Sequence, residues 1–420
     1  MIQENFIKIY EKSFKKNWEL PALTDYSKGT TFSFADVAKE IARIHILFEE
    51  CQIRRGDKIA LIGKDSARWC IVYMAAVTYG AIIVPILQDF SPNDVHHIIN
   101  HSESVFLFVS DRIWDTLEEE MIEDVRGVFS LSDFRCLHQR DGESIQKLLK
   151  GMDEKVVLLN YTSGTTGFSK GVMLTGNNLA GNVMYGIELG VLYRGERELC
   201  FLPLAHAYSC AFNFLVPMAV GAHVYLLGKV PSPKILLKAF EEVKPNLILT
   251  VPLILEKIYK KMILPQLSKT TMKVALNIPL LDSRIYAQIR KKLVDAFGGR
   301  FREVIVGGAA MNEEVTNFLY KIKFPFTIGY GMTECGPLIS YDHNDEYVPG
   351  SCGQILKGIM KVRIDSEDPY NKVGEIQVSG ENVMKGYYKN EEATSKVFTE
   401  DGWLRTGDLG TIDADNRIYI

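Results

Sequence analysis

The sequence predicts an α/β protein with two mostly parallel sheets and a smaller β-rich part. Three observations carry that prediction. Between residues 34 and 109, apolar helical periodicity alternates with short β-branched runs, the pattern of parallel strands covered on both faces. That grammar recurs further along, where Tyr79-Gly80-Ala81-Ile82-Ile83-Val84 is echoed by Val220-Gly221-Ala222-His223-Val224-Tyr225. Near Pro349 the texture changes, and Gly, Lys and short alternating runs replace the helices.

Each element has its own local reason. Residues 34–51 show helical spacing behind Ser33, a good N-cap. A strand at 58–62 follows the Arg55-Gly56-Asp57 turn. Trp69 to Leu87 carries no charged residue and approaches the length of about 20 residues that spans a bilayer. Gly80, Pro85 and the β-branched run between them divide it into a buried helix (66–79) and a buried strand (81–85). A helix at 92–102 and a strand at 105–109 follow. Residues 139–155 are polar and read as a surface connection. In the second unit, a helix at 208–220 stops at Gly221-Ala222 before a strand at 223–227, and another strand is expected at 303–306. The runs 354–363 and 374–379 read as strands of the β-rich part.

Composition narrows the function classes. The 420 residues are 47% hydrophobic and 24% charged, an ordinary globular balance. The 52 acidic and 48 basic residues are interspersed, which argues against nucleic acid as a partner. The seven cysteines form no C-x-x-C and are odd in number, so they read as thiols in a reducing, cytoplasmic compartment. Glu4, Lys8, Lys12, Lys15 and Lys16 make the first twenty residues amphipathic, unlike a signal peptide. Nothing in the sequence speaks to oligomeric state.

The chemistry centres on Tyr161-Thr162-Ser163-Gly164-Thr165-Thr166-Gly167-Phe168-Ser169-Lys170-Gly171. This loop lies between the apolar runs Val156-Val157-Leu158-Leu159 and Val172-Met173-Leu174. Glycines let backbone N–H groups close on an anion, hydroxyls add donors, and a lysine adds charge, so the loop suits a polyphosphate. It is not the common P-loop, G-x-x-x-x-G-K-[ST]. Counted from Gly164, Ser169 stands where that pattern needs Gly, and Gly171 where it needs Ser or Thr. A flexible linker has similar composition but does not sit between two strand runs.

Four further segments are candidates. In Gly329-Tyr330-Gly331-Met332-Thr333-Glu334, a tyrosine between glycines can face a purine, and a carboxylate can hold a hard cation. Val306-Gly307-Gly308-Ala309-Ala310-Met311 puts small residues at a strand's carboxyl end, where open α/β sheets bind nucleotides. Thr406-Gly407-Asp408 offers a carboxylate suited to ribose hydroxyls. Leu202-Pro203-Leu204-Ala205-His206 carries a lone histidine in an apolar setting. His96, His97 and His101 share a helix, and His97 and His101 have the i, i+4 spacing of a zinc pair, but without a third ligand for that pair or an H-E-x-x-H pattern they read as a solvated face.

Tyr-Thr-Ser-Gly-Thr-Thr-Gly-x-x-Lys-Gly-Val resembles the signature of adenylate-forming enzymes: acyl-CoA synthetases, peptide-synthetase adenylation domains and firefly-type luciferases. The resemblance runs from Thr31 to Ile420. It implies a layered αβαβα core of two doubly wound, mostly parallel sheets (residues 1–345) and a β-rich subdomain (346–420) that ends at a hinge. It implies ATP, Mg2+ and coenzyme A as cofactor and co-substrates. It assigns Thr162, Ser163, Gly164, Thr165, Thr166, Gly167 and Lys170 to the phosphates of ATP. Gly307, Gly308, Ala309, Ala310, Gly329, Tyr330, Gly331, Met332 and Thr333 would form the adenine pocket, with Thr333 on the α-phosphate. Asp408 would take the ribose, Thr162 and Glu334 the magnesium, and His206, Gly308 and Gly331 the acid's carboxylate. The family's catalytic lysine lies on a C-terminal lid domain that has no counterpart in these 420 residues, so binding with poor turnover is expected.

Peptide-forming relatives carry an acid soon after the His206 position, to pair with an amino group. Residues 208–214 contain none, which implies a plain carboxylic acid. Phe297-Gly298-Gly299-Arg300 and Pro203-Leu204-Ala205-His206 resemble long-chain fatty acid–CoA ligases, and a lipid substrate would favour peripheral contact with a membrane's inner face. Aryl, medium-chain and carrier-protein ligases stay open. So does a nucleotide- and acyl-binding fragment without ligase activity.

Overall fold

The computed structural model describes residues 5–122, 124–139, 156–162, 170–276, 278 and 281–420. Two large sheets organise them. The eight-stranded sheet runs Gly386–Tyr387, Lys170–Thr175, Val156–Thr162, Ile82–Ile86, Lys58–Ile62, Ser104–Val109, Gly127–Ser130, Cys136–Gln139. The seven-stranded sheet runs Phe326–Ile328, Glu303–Val306, Leu247–Thr250, Arg197–Cys200, His223–Leu226, Pro21–Asp25, Thr30–Ser33. The central strands of both are parallel. Smaller antiparallel sheets of three and four strands follow among the described residues.

Local chemistry sets the helix ends. Ser33 and Asp36 form a reciprocal capping box at the start of helix Phe34–Glu50, with Asp36 N–H donating to Ser33 Oγ at 3.1 Å and Ser33 N–H to Asp36 Oδ2 at 3.0 Å. Helix Ala67–Tyr79 is apolar on every side and buried, and it stops at Gly80, whose φ of 92° is open to glycine. Trp69 and Tyr73 stack at 5.6 Å, and Phe214 meets Tyr73 edge-on at 5.6 Å. Helix Ala67–Tyr79, which joins two strands of the eight-stranded sheet, thus packs on the segment preceding strand His223–Leu226 of the other sheet. This shared middle layer is the core. No helix among the described residues is long and apolar enough to cross a membrane.

Two expected elements come out differently. The run 354–363 is two strands in two sheets: Gln354–Ile355 pairs with Leu338–Tyr341, and Met360–Asp365 pairs with Gly374–Gly380. A turn with Gly358 at φ 80° separates them. The helix expected at 208–220 is three pieces, Ala207–Ser209, a π-helical Cys210–Leu215 and Val216–Val220. Its wide middle turn accommodates a buried polar chain, in which Ser209 Oγ donates to Asn213 Oδ1 and Asn213 Nδ2 to Glu198 Oε1. Residues 140–155 of the expected surface connection lie outside the described residues.

Candidate functional site

The carboxyl ends of parallel strands from both sheets open onto one cavity of about 650 Å³. Strand Lys58–Ile62 delivers Lys64 and Asp65, Ile82–Ile86 delivers Gln88 and Asp89, and Arg197–Cys200 delivers Pro203 and His206. Leu247–Thr250 delivers Val251, Glu303–Val306 delivers Gly307 and Gly308, and Phe326–Ile328 delivers Gly329 and Tyr330. Such sheets bind ligands at this edge, because loops there are free to vary over a rigid frame.

One end of the cavity is made of backbone. Gly329 N–H donates to Val306 O at 3.0 Å and Gly307 N–H to Thr250 O at 3.1 Å, so the sheet ladder runs up to the wall. A Cβ on Gly331 would lie 2.2 Å from Pro337 O, and one on Gly307 would press on the Tyr208 ring at 3.2 Å. Met332 and Thr333 complete this wall. Ala309 and Ala310 follow on the chain but are exposed and do not line the cavity.

Tyr330 and Asp408 meet here across two sheets: the phenol donates to Asp408 Oδ2 at 2.7 Å. Burial pushes the Tyr330 phenol well above its usual pKa; Thr406 opposes the shift and Asp408 adds to it. A bulge presents Asp408. Gln377 faces Arg405 and Glu375 faces Leu409, so Thr406-Gly407-Asp408 stands opposite Ile376 alone.

Beside this wall, Glu334 is buried in the short 3-10 turn Thr333–Cys335. The Tyr387 hydroxyl donates to its Oε1 at 2.8 Å, and no Lys or Arg pairs with it among the described residues. A buried carboxylate with one neutral donor and an oxygen to spare suits a hard cation, so the donor set fits magnesium. Asn182 fixes the turn, accepting from Leu338 N–H at 2.9 Å and donating to Cys335 O at 3.3 Å. Lys170 Nζ lies 5.1 Å from the centroid of the Tyr387 ring. Thr162 ends its strand opposite Lys170. Ser163, Gly164, Thr165, Thr166 and Gly167 lie outside the described residues.

The other end of the cavity is made of side chains. His206 caps the Ala207–Ser209 turn and is exposed at the cavity wall. Desolvation by that wall lowers its imidazole pKa, and Asp89 opposes the shift. Asp65 Oδ1 accepts Leu204 N–H at 3.0 Å and so holds the loop that carries His206. Burial raises the Asp65 carboxyl to about 7 against that hydrogen bond. The Tyr208 hydroxyl donates to Ile305 O at 3.1 Å, and Leu202, Val251 and Ile254 add apolar wall.

Asp65, Tyr208 and Tyr387 are absent from the sequence expectation. Asp65 could have been found from its place just beyond strand 58–62. Tyr387 gives no local signal, because its partners are 53 residues away at Glu334 and across a strand pair at Lys170. His96 accepts Glu118 N–H at 3.1 Å, and His97 and His101 stack at 5.6 Å. No cluster of three or more His, Cys, Asp or Glu side chains placed to hold a metal occurs among the described residues.

The fold and this cleft define a layered α/β architecture with a ligand-sized cavity at the carboxyl ends of its parallel strands. Residues 10–388 match the family described as AMP-binding enzyme, and the chain belongs to that family. Curated relatives include acid–CoA ligases of two kinds. The 4-coumarate–CoA ligase CCL1 of Humulus lupulus is 29% identical over 427 residues, covering 95% of this chain and 72% of the relative. Long-chain-fatty-acid–CoA ligase 1 of Saccharomyces cerevisiae is 25% identical over 472 residues, covering 98% and 67%. Among solved structures, the N-terminal domain of FACL13 from Mycobacterium tuberculosis superposes with a TM-score of 0.78 at 19% identity, covering all of both chains. The ATP-bound RpMatB-BxBclM chimera B3 also gives 0.78, at 22% identity, with 99% of this chain and 78% of that one covered.

Proposed function

We propose that this chain activates a carboxylic acid with ATP and passes the acyl group to coenzyme A. The observation that supports this reading is one cavity lined both by Gly307, Gly308, Gly329 and Gly331 and by polar and apolar side chains from the strand ends of both sheets. A carboxylate oxygen attacks the α-phosphorus of ATP, the bond to the β-phosphate oxygen breaks, and pyrophosphate leaves. The coenzyme A thiol then attacks the acyl carbon, loses its proton and displaces AMP.

The chain's contribution is position and charge. Tyr330 packs on adenine between Gly307, Gly308, Gly329 and Gly331, with Met332 beside it. Asp408 turns from the Tyr330 phenol to the ribose hydroxyls. Thr333 holds the α-phosphate, and the loop from Thr162 to Lys170 holds the β- and γ-phosphates. Thr162 and Glu334 would hold magnesium, which when bound neutralises phosphate charge. His206, Gly308 and Gly331 receive the acid's carboxylate.

The acid we propose is a long-chain fatty acid, supported by the Leu202, Leu227, Val230, Val251, Leu253 and Ile254 lining. Polar Asp65 and Gln88 in the same chamber support an aryl acid as the second reading. A cytoplasmic, reducing setting is supported by seven unpaired cysteines. Thermal unfolding with stable acyl-adenylate mimics separates the two acids. A mimic at a hundred times its Kd adds about 2.7 kcal/mol of stability. A shift with the alkyl mimic alone supports the fatty acid, and a shift with the aryl mimic alone replaces it. No shift with either removes the ligase reading.

A further inference from the structure

We infer that Tyr387 is a positioning residue that joins the phosphate loop to the carboxylate for the cation, so that magnesium and nucleotide bind as one unit. The inference rests on reading Glu334 as the cation's carboxylate.

Three observations meet at this side chain. Its hydroxyl donates to Glu334 Oε1 at 2.8 Å, which fixes the carboxylate's rotation and leaves Oε2 without a partner among the described residues. Its ring lies under the ammonium of Lys170, with 5.1 Å between Nζ and the centroid. Its backbone belongs to the strand that extends the loop's exit strand: Tyr387 faces Val172, Gly386 faces Met173, and Tyr388 N–H donates to Gly171 O at 2.7 Å. A displacement of the loop's exit therefore moves the ring and the hydroxyl together.

The physics favours orientation over simple packing. A buried carboxylate with no fixed partner can rotate, and a hard cation binds weakly to an oxygen that must first be ordered. The Tyr387 hydrogen bond supplies that order before the cation arrives. The Lys170 charge over the ring polarises the phenol and strengthens that donation. A second anchor sits one residue along. Tyr388 and Lys389 donate to Glu103 at 2.9 and 2.6 Å, which ties this strand to the sheet.

The test is binding of a non-hydrolysable ATP analogue, with and without Mg2+, to the 420-residue chain and to Tyr387→Phe, which removes one oxygen. Thermal unfolding checks that each variant is folded. The wild-type chain should bind the analogue more tightly with Mg2+. In Tyr387→Phe that enhancement should fall about tenfold, the size of one hydrogen bond to a charged group, with metal-free affinity little changed. In a Glu334→Gln background the same change should have no further effect on the enhancement. Equal weakening with and without Mg2+ would reduce Tyr387 to a packing residue and overturn the inference. An unchanged enhancement in Tyr387→Phe would also overturn it. No enhancement in the wild-type chain would instead overturn the assignment of Glu334, and the inference with it.

Discussion

At the Tyr330 end of the cleft much of the wall is backbone, contributed by Gly307, Gly308, Gly329 and Gly331, with Tyr330, Met332 and Thr333 beside it. At the Asp65 end the walls are side chains, and Asp65 accepts a single hydrogen bond from Leu204 N–H. A backbone wall tied into a sheet has one shape and serves one ligand. A side-chain wall keeps its frame while its lining varies. On the function proposed above, the backbone wall would hold the nucleotide and the side-chain wall the acid.

The largest expected effect breaks the backbone wall. Gly331→Ala sets a methyl 2.2 Å from Pro337 O, so the Tyr330–Thr333 segment must shift. A shift of this kind should weaken AMP binding about 10²-fold, by analogy with the cost of small misplacements in catalytic sites, and calorimetry would measure it. An unchanged AMP affinity would mean that this wall is as adaptable as the other.

A smaller effect separates the two ends. Asp65→Ala leaves Leu204 N–H without its acceptor and loosens the His206 loop. Affinity for an acyl-adenylate mimic should fall about tenfold while AMP affinity holds. Equal losses for both ligands would show that the chambers are not independent. Asp65 also makes a pH prediction. Its folded pKa, about 7, exceeds the ordinary aspartate value of 3.8, so between these values the folded chain holds a proton that the unfolded chain has lost. Stability from this group therefore declines as pH rises through that window. The melting temperature of Asp65→Asn relative to wild type should rise from pH 5 to pH 8.

The smallest effect lies outside the cleft. Burial raises the Glu103 carboxyl, but hydrogen bonds from Lys389, Tyr388 and Lys58 outweigh it and hold the pKa at about 2, below the ordinary glutamate value of 4.5. Here the stability is present above pH 4.5 and lost as pH falls toward 2. The side chain is half exposed, so Glu103→Gln should cost no more than about 1 kcal/mol at neutral pH and flatten the acid limb of the melting curve.

The same division explains what the sequence revealed. Gly80, Ser33 and the strand at 58–62 were legible because their causes are local: a left-handed stop, a cap and an apolar run. The glycines around Tyr330 were legible because a backbone wall needs them at fixed spacing. The run 354–363 misled because one glycine turn sends its halves to different sheets. Tyr387 and Asp65 were not legible, because their meaning lies in partners brought together by the fold. The acid is obscure for the same reason: its chamber is lined from strands of both sheets.

The most direct test is calorimetric titration of the chain with an acyl-adenylate mimic, with AMP and with the free acid. If one cleft holds both chambers, the mimic binds more tightly than either half and each half competes with it. Gly331→Ala should then weaken the mimic and AMP together. A mimic that binds no better than AMP, with no competition from the acid, would contradict the joined cleft.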